Sequence, residues 1–252
     1  MDPVENLCLG VFPGFNVELM RSINAPLVTY LSRELGIPVL LSAPSDYRQF
    51  LDQSKSLHYD LVLAPPHQVG YLMSEENFVP LATDNTGTEV KVFAREGSGI
   101  HAPRDLRGKT VLIASREGIV ILVALAQLKE AGLTEPGDIK LVETGSYAEA
   151  IFRFAKGEAD AVIVPTIKDL VNPVLMKDLV VISEVGNLPG VAFLVRPGMP
   201  EERIDQLKKL FLGIHRHELG RYPFAKSGAR RLVPFDEAVK EKFLKYKDLA
   251  DQ

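Results

Sequence analysis

Short, unbroken apolar runs recur along this chain, each paired with a helix-like stretch, and that alternation constrains the fold more than any other feature. Residues 7–12 are apolar and stop at Pro13-Gly14. A helix-like segment follows, with Leu27, Val28, Leu31 and Leu35 on one face and Gly36 as its stop signal. Val39-Leu40-Leu41 and residues 61–64 form two more strand-like runs, the second stopped by Pro65-Pro66. Between them Ser45 or Asp46 can cap a helix carrying Phe50, Leu51 and Leu57. A strand covered on one face alternates apolar and polar residues, whereas one covered on both faces is apolar throughout. These runs therefore predict mostly parallel sheets flanked by helices, an α/β fold.

The pattern then recurs. Residues 110–114, 139–142 and 161–164 read as strands, and 118–129 and 148–156 as helices between them. A shift of 100 superposes Tyr47 on Tyr147, Asp60 on Asp160 and Pro65 on Pro165. Earlier elements match at a shift of about 96, because Thr134-Glu135-Pro136-Gly137 lengthens a turn in the second copy. Two βαβαβ lobes of similar build are expected. Residues 89–94, 180–184 and 191–195 read as further strands, and 201–216 and 236–246 as terminal helices. The expected lobes are 1–85 with 190–252, and 90–186, with a hinge near 84–90 and 185–192.

Composition excludes several classes. At 252 residues, with 46% hydrophobic and 25% charged, the chain is neither disordered nor fibrous. Its formal charge is −4, and its densest basic pairs are Lys208-Lys209 and Arg230-Arg231, so no nucleic-acid partner is expected. No apolar stretch reaches about 18 residues, so nothing predicts a membrane span. Cys8 is the single cysteine, which forbids an internal disulfide and a cysteine-based zinc cage. The opening Met-Asp-Pro-Val-Glu-Asn has no basic, then apolar, leader. Either the protein is cytoplasmic or a signal peptide is absent from the chain given.

Ligands in open parallel sheets bind beyond the carboxyl ends of the strands. That rule selects the loops 12–16, 43–47 and 64–68 in the first lobe, 115–118, 143–147 and 165–166 in the second, and 84–86 and 184–187 at the crossings. Helices opening there point N–H groups and a positive dipole end outward, which suits a small anion. Ser115 follows a strand and precedes a helix; it either bonds an oxyanion or caps the helix. It is no nucleophile elbow, because Ile113 and Glu117 stand where that motif needs glycine. Ser146 and Tyr147 follow Gly145 at the matching helix start, and Tyr47 is the symmetry mate of Tyr147. Either tyrosine roofs or bonds a ligand, or simply packs at a lobe edge. Pro66 and His67 follow the third strand, His67 being a donor to an anion or an idle loop residue. Phe15 can wall the site and Asn16 can bond a polar group. His215 and His217, two apart, face different ways on a helix, so no metal site is expected. No set of nucleophile, base and orienting group is present, which argues against an enzyme.

Several motifs resemble one known family over nearly the whole chain. Leu9-Gly10-Val11-Phe12-Pro13-Gly14 is similar to the opening strand and turn of the phosphonate-binding branch of periplasmic solute-binding proteins of ABC transporters. Leu31-Ser32-Arg33-Glu34-Leu35-Gly36-Ile37-Pro38-Val39 resembles its first helix and second strand, and Tyr59-Asp60-Leu61-Val62-Leu63-Ala64-Pro65-Pro66 its third strand and ligand loop. Ser98-Gly99-Ile100 with Asp105-Leu106-Arg107-Gly108-Lys109, and Gly157-Glu158-Ala159-Asp160-Ala161, resemble its second-lobe lead-ins. The resemblance implies a two-lobed, type II periplasmic-binding-protein-like fold with a ligand cleft between lobes, no cofactor and no catalysis. It implies an extracytoplasmic protein, expected as a monomer, that delivers a small-molecule ligand to an ABC transporter permease. Family ligand positions fall on Pro66-His67, Ser115 and Gly145-Ser146-Tyr147. Two positions depart: Ser115 is followed by Arg116-Glu117-Gly118 rather than by further hydroxyls, and Tyr147 stands where histidine is usual. Arg116 is then the candidate positive group, and Glu143, Glu184 and Asp46 candidates for an amine, so the expected ligand is anionic or zwitterionic. A sensor domain of a signalling receptor, and a small-metabolite enzyme on the same fold, are the alternatives.

Overall fold

A computed structural model of the chain describes residues 6–84, 87–166, 178–219 and 231–250. The chain divides into two compact units, Met1–Gly87 with Pro189–Gln252, and Thr88–Leu188. Of the crossing positions named above, Asn85 and Thr86 lie outside the described residues, as does Arg230.

The first unit contains β1 (Leu7–Val11), α1 (Val17–Leu35), β2 (Val39–Ser42), α2 (Tyr47–Lys55), β3 (Leu61–Ala64), α3 (Pro66–Ser74) and β4 (Val79–Asp84). After the excursion into the second unit it adds β10 (Ala192–Val195), α6 (Glu201–Gly213), β11 (Leu232–Pro234) and α7 (Glu237–Leu244). Its sheet runs β11-β4-β10-β3-β1-β2. β1 is parallel to β2 and β3, while β10 lies antiparallel between β3 and β4. The apolar runs follow from burial on both faces. Leu7, Leu9, Val11, Leu61 and Leu63 face one core with α1 and α6 residues such as Leu27, Leu31, Leu207 and Phe211. Val62 and Ala64 face the other core, with Phe50, Tyr59, Leu72 and Phe243. Gly10 sits against the Tyr59 ring so closely that a Cβ would lie 2.4 Å from it.

The second unit contains β5 (Thr88–Arg95), β6 (Thr110–Ile113), α4 (Ile119–Glu130), β7 (Lys140–Glu143), α5 (Tyr147–Ala155), β8 (Ala161–Pro165) and β9 (Leu179–Leu188). Its sheet runs β7-β6-β8-β5-β9, with β6 parallel to β7 and β8, and β5 antiparallel to both its neighbours. Each sheet is therefore mixed. In each, the strand on which the chain arrives from the other unit, β10 or β5, is reversed and occupies the same slot.

The repeat is detailed. In the first unit the Asp60 N–H donates to the Cys8 carbonyl at 2.9 Å and its carboxylate accepts from the Cys8 N–H at 2.8 Å. In the second, Asp160 makes the same pair of bonds to Thr110, at 2.9 and 2.8 Å. Arg196 closes on Asp60 at 2.8 Å, and Lys109 approaches Asp160 at 3.7 Å. α2 and α5 are nine residues each, capped by Asp46 and Ser146, whose side chains accept from Gln49 and Glu149 N–H groups. Both helices run into a left-handed residue, Leu57 at φ 56° and Gly157 at φ 88°.

Candidate functional site

In the first unit, three helices open at the carboxyl edge of the sheet. The Asn16 side chain accepts from the Leu19 N–H at 2.9 Å, so its oxygen caps α1, and the residue is exposed. Phe15 beside it is 38% exposed. Asp46 caps α2, and Tyr47, its first residue, is half-buried. The ring of Tyr47 stands 6.2 Å from that of Phe12 and 6.1 Å from that of His67. α3 differs from both neighbours: its N-cap is Pro65, which makes no side-chain cap bond, and Pro66 sits in its first turn. Proline is well placed there, since its fixed φ suits the first helical position and its missing N–H would have no partner.

His67 is therefore in the first turn of a helix, not in a loop, and only 1% exposed. Gln68 next to it is 2% exposed; its Nε2 donates to the Tyr47 carbonyl at 3.1 Å, while its Oε1 is buried with no hydrogen-bond partner among the described residues. That bond ties the start of α3 to the start of α2. At the same edge Asp84 ends β4 and is 5% exposed. Its N–H donates to the Val191 carbonyl at 3.0 Å, which Thr83 Oγ1 also reaches at 2.9 Å. Gly190 is required here, because a Cβ would lie 2.6 Å from the Asp84 carbonyl oxygen.

In the second unit, Ser115 is not a helix cap. α4 begins at Ile119 with Gly118 as its N-cap and no side-chain cap bond. Residues 115–118 instead form a turn in which the Gly118 N–H points to the Ser115 carbonyl at 3.3 Å. The loop after β7 is drawn against the end of β6, just before this turn: the Thr144 and Gly145 N–H groups donate to the Ile113 and Ala114 carbonyls, each at 2.9 Å. Thr144 Oγ1 bridges the Ile113 and Ser146 carbonyls at 3.0 and 2.9 Å. Gly145, at φ 80°, permits the sharp bend. Ser115 and the half-buried Tyr147 thus belong to adjoining loops, while the Ser146 hydroxyl caps α5.

Charged candidates are engaged elsewhere. Arg116 donates to both oxygens of Glu135, at 2.7 and 2.9 Å, and through Nε and its backbone N–H to both oxygens of Glu143, at 3.0 and 3.2 Å. These bonds hold the Glu135 carboxyl below its usual range and push the Arg116 guanidinium higher still. Glu184 pairs with Lys91 at 3.4 Å, and Asp46 caps α2. Glu135 and Thr144 were not legible as partners in the sequence, because ion pairs across 19 residues follow no spacing rule.

The remaining unusual residues have structural neighbours. His217 follows the short 3-10 turn Ile214–Arg216 and packs on the Tyr30 ring at 4.9 Å. Burial, then the nearby Asp60 charge, raises the Cys8 thiol above its ordinary pKa. Among the described residues no group of three or more His, Cys, Asp or Glu could hold a metal ion. Among them, too, no helix is long and apolar enough to cross a membrane.

One match decides the family. The model for the phosphonate periplasmic substrate-binding protein of ABC transporters matches residues 9–239. The chain belongs to this family. It is a periplasmic-type substrate-binding protein, of a family that binds small molecules, works with ABC transporter permeases and consists of transport proteins rather than enzymes. Solved structures share its fold. XAC2383 from Xanthomonas citri, bound to chloride ion, superposes with a TM-score of 0.83 at 18% identity, covering 98% of each chain. PhnD1 from Prochlorococcus marinus, in complex with methylphosphonate, gives 0.80 at 15% identity, covering 98% of this chain and 97% of that one. A phosphonate transporter binding component from Pseudomonas aeruginosa gives 0.80 at 15% identity, covering 97% and 85%. No curated protein matches the chain.

Proposed function

We propose that this family member captures a small solute bearing an oxyanion, phosphonate-like in charge and shape, and passes it as a monomer to an ABC transporter permease. One observation carries the reading. Three of the helices opening at the carboxyl edges, α1, α2 and α5, are closed by a side chain, Asn16, Asp46 or Ser146. α3 and α4 are not: their N-caps are Pro65 and Gly118, and neither makes a side-chain cap bond. The first N–H groups of a helix have no acceptor within it, and an anion can supply one. Those two helix starts carry Pro66, His67 and Gln68 in one unit and follow the Ser115 turn in the other. The backbone N–H donors carry no charge of their own, and Arg116 is bonded to carboxylates. The relative PhnD1 binds methylphosphonate, which agrees with this chemistry.

Titration calorimetry with methylphosphonate, inorganic phosphate and methylammonium tests the reading. The two anions bind and the cation does not. Ser115→Ala and Tyr147→Phe each weaken methylphosphonate binding by roughly five- to 150-fold, equivalent to about 1–3 kcal/mol for a lost hydrogen bond to a charged group. Preference for methylammonium, or indifference of anion binding to both substitutions, overturns it. Light scattering on the purified chain checks the monomer.

A further inference from the structure

Arg116 joins three separate segments of the second unit. It lies in the turn after β6; Glu135 lies between α4 and β7; Glu143 is the last residue of β7. All four bonds run through Arg116, two to each carboxylate. The bond from its backbone N–H matters most for shape, because it fixes the peptide that follows Ser115 as well as the side chain. Among the described residues the bond within the turn runs from the Gly118 N–H to the Ser115 carbonyl, at 3.3 Å, and the Gly118 carbonyl accepts from the Ile121 and Leu122 N–H groups of α4, at 2.8 and 3.0 Å.

The charge of the trio is the second observation. One guanidinium faces two carboxylates, so the group carries no surplus positive charge with which to attract an anion. The Arg116 side chain is 41% exposed and that of Glu135 24%, so the bidentate fork makes a modest contribution to stability. Attraction therefore does not account for a bidentate fork spent on Glu135 and a second pair of bonds on Glu143. Such forks are strong in one respect, the fixing of geometry.

We infer that Arg116 is a positioning residue for ligand capture: by chelating Glu135 and Glu143 it holds the 115–118 turn, and with it the Ser115 hydroxyl, against the 144–147 loop. This rests on the oxyanion reading above for what Ser115 does, but not for where Ser115 is held. Binding is strongest when groups need no reordering, so loosening the turn weakens capture without removing any contact to the ligand.

Arg116→Gln, Arg116→Lys and Glu135→Gln separate this from direct charge attraction. Methylphosphonate titrations are paired with thermal unfolding and with amide hydrogen exchange of the ligand-free proteins. Positioning predicts that both Arg116 variants lose roughly tenfold or more in affinity, because lysine keeps the charge but not the fork. It predicts that Glu135→Gln also weakens binding, and that exchange accelerates at 115–118 while thermal midpoints at neutral pH fall by no more than about 2–4 °C. Tighter binding by Glu135→Gln, full affinity in Arg116→Lys, or unchanged exchange in Arg116→Gln overturns it. Affinity losses that merely track lowered midpoints overturn it as well. Should the parent fail to bind methylphosphonate, the oxyanion reading falls and exchange alone decides: acceleration confined to 115–118 upholds the positioning role, and its absence ends it.

Discussion

Leu57 and Gly157 occupy equivalent places in the two units, each just past a nine-residue helix, and both are left-handed. Their N–H groups make equivalent bonds, to the Ser54 and Phe154 carbonyls at 3.0 Å. Glycine takes that conformation without cost, whereas a side chain costs about 1–2 kcal/mol there. Leu57 is 45% exposed, so its side chain contributes little packing in return. Leu57→Gly is expected to stabilise the protein by about 0.5–1 kcal/mol after the extra freedom of glycine in the unfolded chain is deducted. A higher urea midpoint at unchanged slope is the measurement; a lower one refutes the argument. Ser115 illustrates the opposite case. Since Gly118 rather than Ser115 caps α4, Ser115→Ala should leave stability within about 0.5 kcal/mol of the parent. A clear drop in the unfolding midpoint would restore the capping role that the sequence suggested. Glu135 adds an acid dependence. Arg116 holds its carboxyl below the ordinary range, so its bonds stabilise the fold above the unfolded value and are lost as pH falls through the lower folded one. The parent should therefore lose more thermal stability than Arg116→Gln on acidification from about pH 5 to below the usual glutamate value of roughly 4.3. Parallel pH curves for the two proteins would count against that linkage.

At the scale of elements, α3 depends on α7. A Cβ on Gly70 would lie 2.5 Å from the Phe243 carbonyl oxygen, so Gly70 sets how closely the two helices meet. Gly70→Ala is expected to destabilise by about 1–3 kcal/mol and to weaken methylphosphonate binding too, because α3 carries His67 and Gln68 at its start. Loss of stability with unaltered affinity would separate α3's start from the site. Why some elements were legible and others not follows from the same chemistry. β1, β3, β6 and β8 are buried on both faces and announce themselves as apolar runs. α3 was hidden because Pro65-Pro66 reads as a stop, although proline also begins helices. β4 contains Pro80 at an irregular register with β10, and three-residue β11 is too short to show a period. The reversal of β10 and β5 has no local signal at all, since strand direction is decided by distant partners. Candidate site residues were legible as loop positions following strands. Their hydrogen-bond partners were not: Asn16 and Ser146 cap helices, and Arg116 bonds Glu135 and Glu143.

At the scale of the whole molecule, the net charge of −4 means that an anionic solute approaches a protein of like sign. Long-range repulsion slows encounter and is screened within about 10 Å at 0.1 M salt. Association of methylphosphonate should therefore quicken modestly as ionic strength rises, the reverse of what a basic binding face would give. Stopped-flow rates that fall with added salt would reveal an unrecognised cationic entry. The strand order has a different consequence, for the timing of synthesis. β3 and β4 are close in sequence, yet they do not pair; β10 fills the place between them. Until residues 192–195 have left the ribosome, the first unit has a gap in the middle of its sheet and no finished core on either face. The second unit, Thr88–Leu188, has all its strands in one uninterrupted stretch. Chains rich in nearer contacts fold sooner, and domains fold as their residues emerge. The middle of the polypeptide is thus ready to fold first, while the segment made earliest waits, unfinished, for one of the last strands.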